Sequence, residues 1–284
     1  MIRRMRGFLR ALLVTAAGWG LSLGCSDDSE RPEGLDPCAG DGEGCVTPGQ
    51  TGEASGGGSA VDAGTADGST EGGGETAISG VVLEYADDQF LLASQYAGEA
   101  EVFTDGPDGN TVTADYDGVN AFTLEGALAT EWGWMGVQPW DSTSDWLPTL
   151  HPVDTTAGAA VELPLVRASV IELVLQVGTS PLAREAAAAQ LVLRFVDETG
   201  LALPGISIET SDPTQPILFR DGSTWSDTDT VTLADGLVLV PNLPAFELPG
   251  GTIPVTFSDG VDSYVLQPRV AQGTVTVMTV LVAA

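Results

Sequence analysis

The chain has 284 residues, with 40 acids against 10 bases, and every base is an arginine. A net charge of −30 argues against nucleic acid and anionic lipid headgroups as partners, since such a surface repels both. The absence of lysine excludes a P-loop, Schiff-base chemistry and a Lys–Asn isopeptide crosslink, and a single histidine, His151, excludes a multi-histidine metal site.

The first ten residues hold Arg3, Arg4, Arg6 and Arg10, and an apolar run from Ala11 to Leu23 follows. That pattern is a secretory leader over 1–24, too short for a comfortable membrane span. Leu21-Ser22-Leu23-Gly24-Cys25 resembles a bacterial lipobox, although Ser22 stands where leucine is usual. The resemblance implies lipidation of Cys25, a membrane anchor and, with Ser26 next, sorting to the outer membrane or cell surface. The alternative is an ordinary signal peptide cut nearby. Removing the leader leaves six arginines against forty acids, a net of −34.

Cys38 and Cys45 flank Ala39-Gly40-Asp41-Gly42-Glu43-Gly44. In an exported chain this reads as a disulfide closing a small loop, because two thiols without histidine leave zinc short of ligands. From Val46 to Thr76 there is almost only Gly, Ser, Thr, Ala, Asp and Glu. Residues 25–76 are therefore expected to be a disordered tether, reaching about 40 Å root-mean-square if about fifty residues behave as a flexible coil.

Order is expected from Ala77. Val81, Leu83 and Tyr85 alternate, as do Ala100 and Val102, Val112 and Ala114, and Phe122 and Leu124, while Val161–Val166 and Val170–Val177 continue the strand signal. These make a first β-sandwich module over 77–178. Ser180-Pro181 before Ala186–Ala189 predicts a short helical connector over 179–190, from its N-cap, its proline at the first helical position and its alanine run. A second module, 191–284, opens with Leu191–Val196, a turn at Asp197-Glu198-Thr199-Gly200, another at Pro204-Gly205, and a strand with Ile206 and Ile208, read as a hairpin. Thr228–Leu233, Leu237–Leu239, Ile253–Phe257, Tyr264–Leu266 and Val275–Val277 supply further strands.

The 191–210 stretch resembles the start of the carboxypeptidase regulatory-like (transthyretin-like) domain: a strand, D-x-x-G, a short link, P-G and a V-x-V-type strand. Thr113-Ala114-Asp115-Tyr116-Asp117-Gly118 with Ala121-Phe122-Thr123-Leu124 resembles that family's T-x-T-D-x-x-G-x-F-x-L hairpin, lengthened by two residues, and Leu243-Pro244-Ala245 its L-P-A turn. The resemblance implies an all-β fold of two Greek-key sandwiches, transthyretin-like or immunoglobulin-like, in tandem. It also implies non-catalytic modules for structural or assembly contacts at the cell surface.

Trp132, Trp134, Trp140 and Trp146 fall within fifteen residues. Trp132 and Trp134 project from one face of a strand, with Met135 and Val137 on the other. If the latter pair faces the core, the rings form a platform for a glycan or a peptide; the plain alternative is that they belong to the core. The acid-rich turns at Asp105–Asn110, Asp115–Gly118 and Asp227–Asp229 could be read as calcium loops, but they supply few ligands and lack the EF-hand pattern, and Asp and Gly are also what turns need. No cofactor is expected. A carboxylate-based glycosidase is the competing enzyme class, although nothing singles out one pair of acids. His151, in the turn-like Leu150-His151-Pro152, reads as structural or exposed.

Overall fold

Alternating apolar residues and Asp-Gly turns carry most of the chain into strands. The computed structural model describes residues 75–284 apart from 86, 91–92, 131–132, 156–159, 178–179 and 283–284. The leader, Cys25, Cys38 and Cys45 lie outside the described residues, as does all but the end of the expected tether. The first half runs β1 (Glu75–Tyr85), β2 (Ala93–Gln95), β3 (Ala100–Asp105), β4 (Thr111–Tyr116), β5 (Phe122–Leu128), β6 (Gly133–Pro139), β7 (Trp146–Leu147), β8 (Thr149–Val153) and β9 (Ala160–Arg167), then α1 (Ala168–Gln176). The second runs β10 (Ala189–Val196), β11 (Ser207–Thr210), β12 (Leu218–Asp221), β13 (Thr224–Ser226), β14 (Leu237–Leu243), β15 (Gly251–Thr252), β16 (Val255–Ser258), β17 (Ser263–Leu266), β18 (Arg269–Val270) and β19 (Val275–Leu281). The fold is thus mostly β-sheet, with one short helix among the described residues.

One sheet of nine strands, in the order β13-β12-β14-β10-β19-β8-β6-β3-β4, passes through both halves. The last strand joins them, because β19 lies parallel to both β10 and β8. Registered partners trace a row Ala114, Val102, Val137, Thr149, Val275, Gln190 along one face of this sheet. The adjacent row, Thr113, Phe103, Gly136, Leu150, Thr276, Leu191, lies on the other face. The side-chain period of two therefore carries across the junction without a break. All the described residues fall in one compact unit.

On the first face packs a five-stranded sheet, in which β1 pairs with β2 and β5 antiparallel and with β9 parallel. Ile78, Val82, Leu124, Met135, Val137, Leu163 and their neighbours close a core between the two sheets. Farther along the same face, α1 lays Val170, Ile171, Val174 and Leu175 over Val192, Leu237, Leu239, Val275 and Val277. On the opposite face, β11, β16 and β17 cover the second half and bury Leu191, Leu193 and Phe195 against Ile208, Val255 and Phe257. Each such side chain contributes about 1.5–3 kcal/mol on full burial.

The helix lies where a strand was expected, and the expected helix is not one. Val170–Val177 is apolar enough to satisfy either period, but burial follows i, i+1, i+4, i+5, leaving Leu173 and Val177 exposed. Asp145 caps this helix from a distant loop: the Ala168 amide donates to its carbonyl (2.7 Å), the Ser169 amide to its Oδ1 (3.1 Å), and the Ser169 hydroxyl to its Oδ2. In the predicted connector the backbone finds partners elsewhere. The Glu185 amide donates to Asn242 Oδ1 (3.0 Å), and the Ala183 carbonyl accepts from Asn242 Nδ2 (2.8 Å). A four-alanine run is too short to nucleate a helix against such competition.

Both predicted family hairpins are corrected to arches between sheets. β10 belongs to the nine-stranded sheet and β11 to the sheet with β16 and β17, with one isolated bridge, Val196–Ala202, between the arms. Likewise β4 pairs with β3, whereas β5 pairs with β1. The two extra residues there allow Asp117 Oδ1 to accept from the Val119 (2.8 Å) and Asn120 (2.7 Å) amides. The expected strand at 228–233 reduces to a bridge between Val231 and Ser207, and Leu150-His151-Pro152 is strand rather than turn.

Candidate functional site

Of the described tryptophans in this stretch, Trp134 lies on β6, Trp140 just after it and Trp146 on β7. In β6, Met135 and Val137 enter the core, so Trp134 stands on the opposite face, half-buried against Phe103, Leu150 and Ala271. Trp132 lies outside the described residues. Trp140 follows the end of β6 and is 57 % exposed, its amide donating to the Glu99 carbonyl (3.2 Å). Trp146, on β7 in the other sheet, is half-buried, edge-on to Tyr96 (5.5 Å between centroids), with the Arg167 guanidinium 4.5 Å from its ring. Trp134, Trp140 and Trp146 therefore do not share one strand face; Trp140 is the ring left open to a partner.

The turn acids serve their own backbones. Asp117 is held down to about 2, chiefly by the Asn120 amide, then by the Asn120 side chain and the Val119 amide. Asp141, Asp197, Asp212 and Asp259 are lowered as well, the first three chiefly through a following threonine hydroxyl and Asp259 through the Asp262 amide. Hydrogen bonds that favour the ionised form suit a turn, and they oppose the raised value a general acid needs. Asp105, in another of these turns, makes a two-point ion pair with Arg269 (2.6 and 3.2 Å). Among the described residues no three His, Cys, Asp or Glu side chains gather as a metal site.

His151 sits half-buried on β8, its Nδ1 2.8 Å from the Val277 carbonyl of β19. The backbone ladder between these strands registers only Val275–Thr149 and Thr276–Leu150, so the imidazole continues the pairing where it stops. Burial lowers its pKa, opposed by the bond to Val277.

A second polar cluster joins the halves on the α1 side of the large sheet. Arg220, 3 % exposed, donates from Nη1 to Asp235 Oδ2 (2.6 Å) and lies 3.6 Å through Nη2 from Asp88 Oδ1. Trp225 Nε1 donates to Asp88 Oδ2 (3.2 Å), and the Phe90 ring meets Trp225 edge-on at 6.3 Å. Arg194 Nη2 donates to the Gln89 carbonyl (2.8 Å). Nothing local in the sequence marks this group, since the contacts of Asp88 and Gln89 with it span more than a hundred residues; the rarity of arginine after the leader is the one available signal.

No family model matches the chain, and no curated protein matches it. Among solved structures, the chain is similar to a streptococcal ancillary pilin at 10 % identity, covering 74 % of this chain and 69 % of that one, with a TM-score of 0.23. The shaft pilin SpaA of Lactobacillus rhamnosus GG matches at 12 % identity over 74 % of this chain and 98 % of its own, with a TM-score of 0.21. The Bacillus anthracis TIE protein matches at 9 % identity over 73 % of this chain and 34 % of its own, with a TM-score of 0.20.

Proposed function

We propose that this is a lipid-anchored cell-envelope protein that displays two non-catalytic, transthyretin-like β-sandwich modules for structural or assembly contacts at the cell surface. The observation that carries the reading is the nine-stranded sheet that passes through both halves, with β19 paired to both β10 and β8. The commitment of its ionisable side chains supports the same reading: the Arg220 and Arg269 ion pairs join elements, and the turn aspartates cap their own loops. Cys25 carries the anchor, Cys38 and Cys45 pair, and the outer membrane is the destination. The test is metabolic labelling with a clickable fatty acid, followed by fractionation and protease treatment of whole cells. Label in the wild type and not in Cys25→Ala, in an outer-membrane fraction open to protease, is the expected result; equal labelling, or a soluble periplasmic protein, would overturn it.

The exposure of Trp140 favours a second reading, a glycan- or peptide-binding surface in the first module. A glycan-array screen of the wild type beside Trp140→Ala and Trp134→Ala decides it. Binding that Trp140→Ala abolishes supports this reading, and a blank array removes its glycan form.

A further inference from the structure

The segment Asp88-Gln89-Phe90 is held on the second half as a ligand is held. Its carboxylate faces Arg220 and Trp225 Nε1, its central carbonyl accepts from Arg194, and its ring packs edge-on against Trp225. These receptor residues stand on β10, β12 and β13, which other contacts already fix in the large sheet. The ligand segment is the strained partner. Phe90 has φ of 50°, a left-handed conformation that costs a bulky residue free energy, and Asp87 Oδ2 is buried without a hydrogen bond among the described residues. Its fit is also incomplete: Asp88 approaches Arg220 Nη2 only to 3.6 Å, while the buried Nε of Arg220 has no acceptor among the described residues. A guanidinium with Nε and Nη2 both available is suited to a two-point grip on a carboxylate.

We infer that Arg194, Arg220 and Trp225 form a peptide-recognition site that selects an acidic residue two places before a phenylalanine, and that the chain's own Asp88-Gln89-Phe90 fills it in cis. A separate segment of that chemistry, free of the constraint that strains Phe90 and able to place its carboxylate on both Nε and Nη2, displaces the internal one. On a surface where acids far outnumber arginines, this is a place where a second acidic chain is attracted.

The probe is a synthetic peptide with the sequence of residues 84–94, titrated calorimetrically into the full chain carrying Asp88→Ala and Phe90→Ala, with folding checked by circular dichroism. One-to-one binding is expected, weakened at least tenfold by adding Arg220→Gln to the protein and by Asp88→Asn in the peptide. A folded variant that does not bind, or binding indifferent to Arg220→Gln, overturns the inference. If the double variant does not fold, the wild type decides. Excess peptide should then accelerate amide exchange at Gln89 and Phe90, and unchanged rates overturn the inference equally.

Discussion

Replacing His151 by glutamine isolates one proton. The chain has a single histidine, and it is the side chain whose ordinary pKa lies between pH 5 and 7.5. Burial lowers the folded-state value below the ordinary 6.5, against the Val277 hydrogen bond, so the unfolded chain takes up a proton first as pH falls. The contribution of His151 is therefore fully present above about pH 7, is lost progressively below 6.5, and levels off below the folded value. The limiting slope is about 1.4 kcal/mol per pH unit, reached where the unfolded imidazole is protonated and the folded one is not. Glutamine keeps a donor for the Val277 carbonyl, which limits the pH-independent cost. The assay is urea unfolding followed by circular dichroism at half-unit steps from pH 8 to 5, for wild type and His151→Gln, read as the difference in stability. Subtraction removes the general relief of acidic repulsion, which both share. A difference flat above pH 7 and shrinking below 6.5 is expected; one constant from pH 8 to 5 would refute the placement of a neutral, half-buried imidazole between β8 and β19.

Other perturbations probe the remaining links. Asp145→Ala removes the cap of α1 and should cost about 1 kcal/mol, read as a lower urea midpoint with unchanged slope, and Asp145→Asn should restore some of it. Gly136→Ala would place its Cβ 2.0 Å from the Phe103 ring, so the ring must lift from the sheet; a loss of about 1–3 kcal/mol is expected by thermal denaturation. In carboxyl NMR, Asp117 should titrate near pH 2, with the order of its turn retained from neutral pH to below 4 and lost as pH falls through about 2; titration near 4 would contradict its amide bonds.

Sequence pattern revealed what is local. β3 with β4, β9, and β16 with β17 are alternating runs bounded by turns, and Met135 and Val137 share one face as their period required. Choices set by distant partners were hidden. Val170–Val177 fitted a strand as well as a helix until Asp145, more than twenty residues earlier, supplied the cap. The alanine-rich connector had the better helix propensity but lost its backbone groups to Asn242. Strand pairing was beyond the pattern too: D-x-x-G and P-G turns join arms of one hairpin or cross between sheets with the same residues, and only the partners of β10 and β11 decide. Of the candidate site, the spacing of Trp134 placed it opposite Met135, yet the cover that Ala271 gives it, like the grip of Arg220 on Asp88, comes from chain that is far away in sequence.

The two halves share one sheet because β19 continues it from β10 into β8. Hydrogen exchange of the full chain across a urea series, followed by mass spectrometry, tests it most directly, comparing peptides from β3 and β6 with peptides from β12 and β14. One shared midpoint and a single population of unfolding molecules are expected, since opening either half breaks the common strand. Two separate midpoints, with one half still protected while the other exchanges, would contradict it.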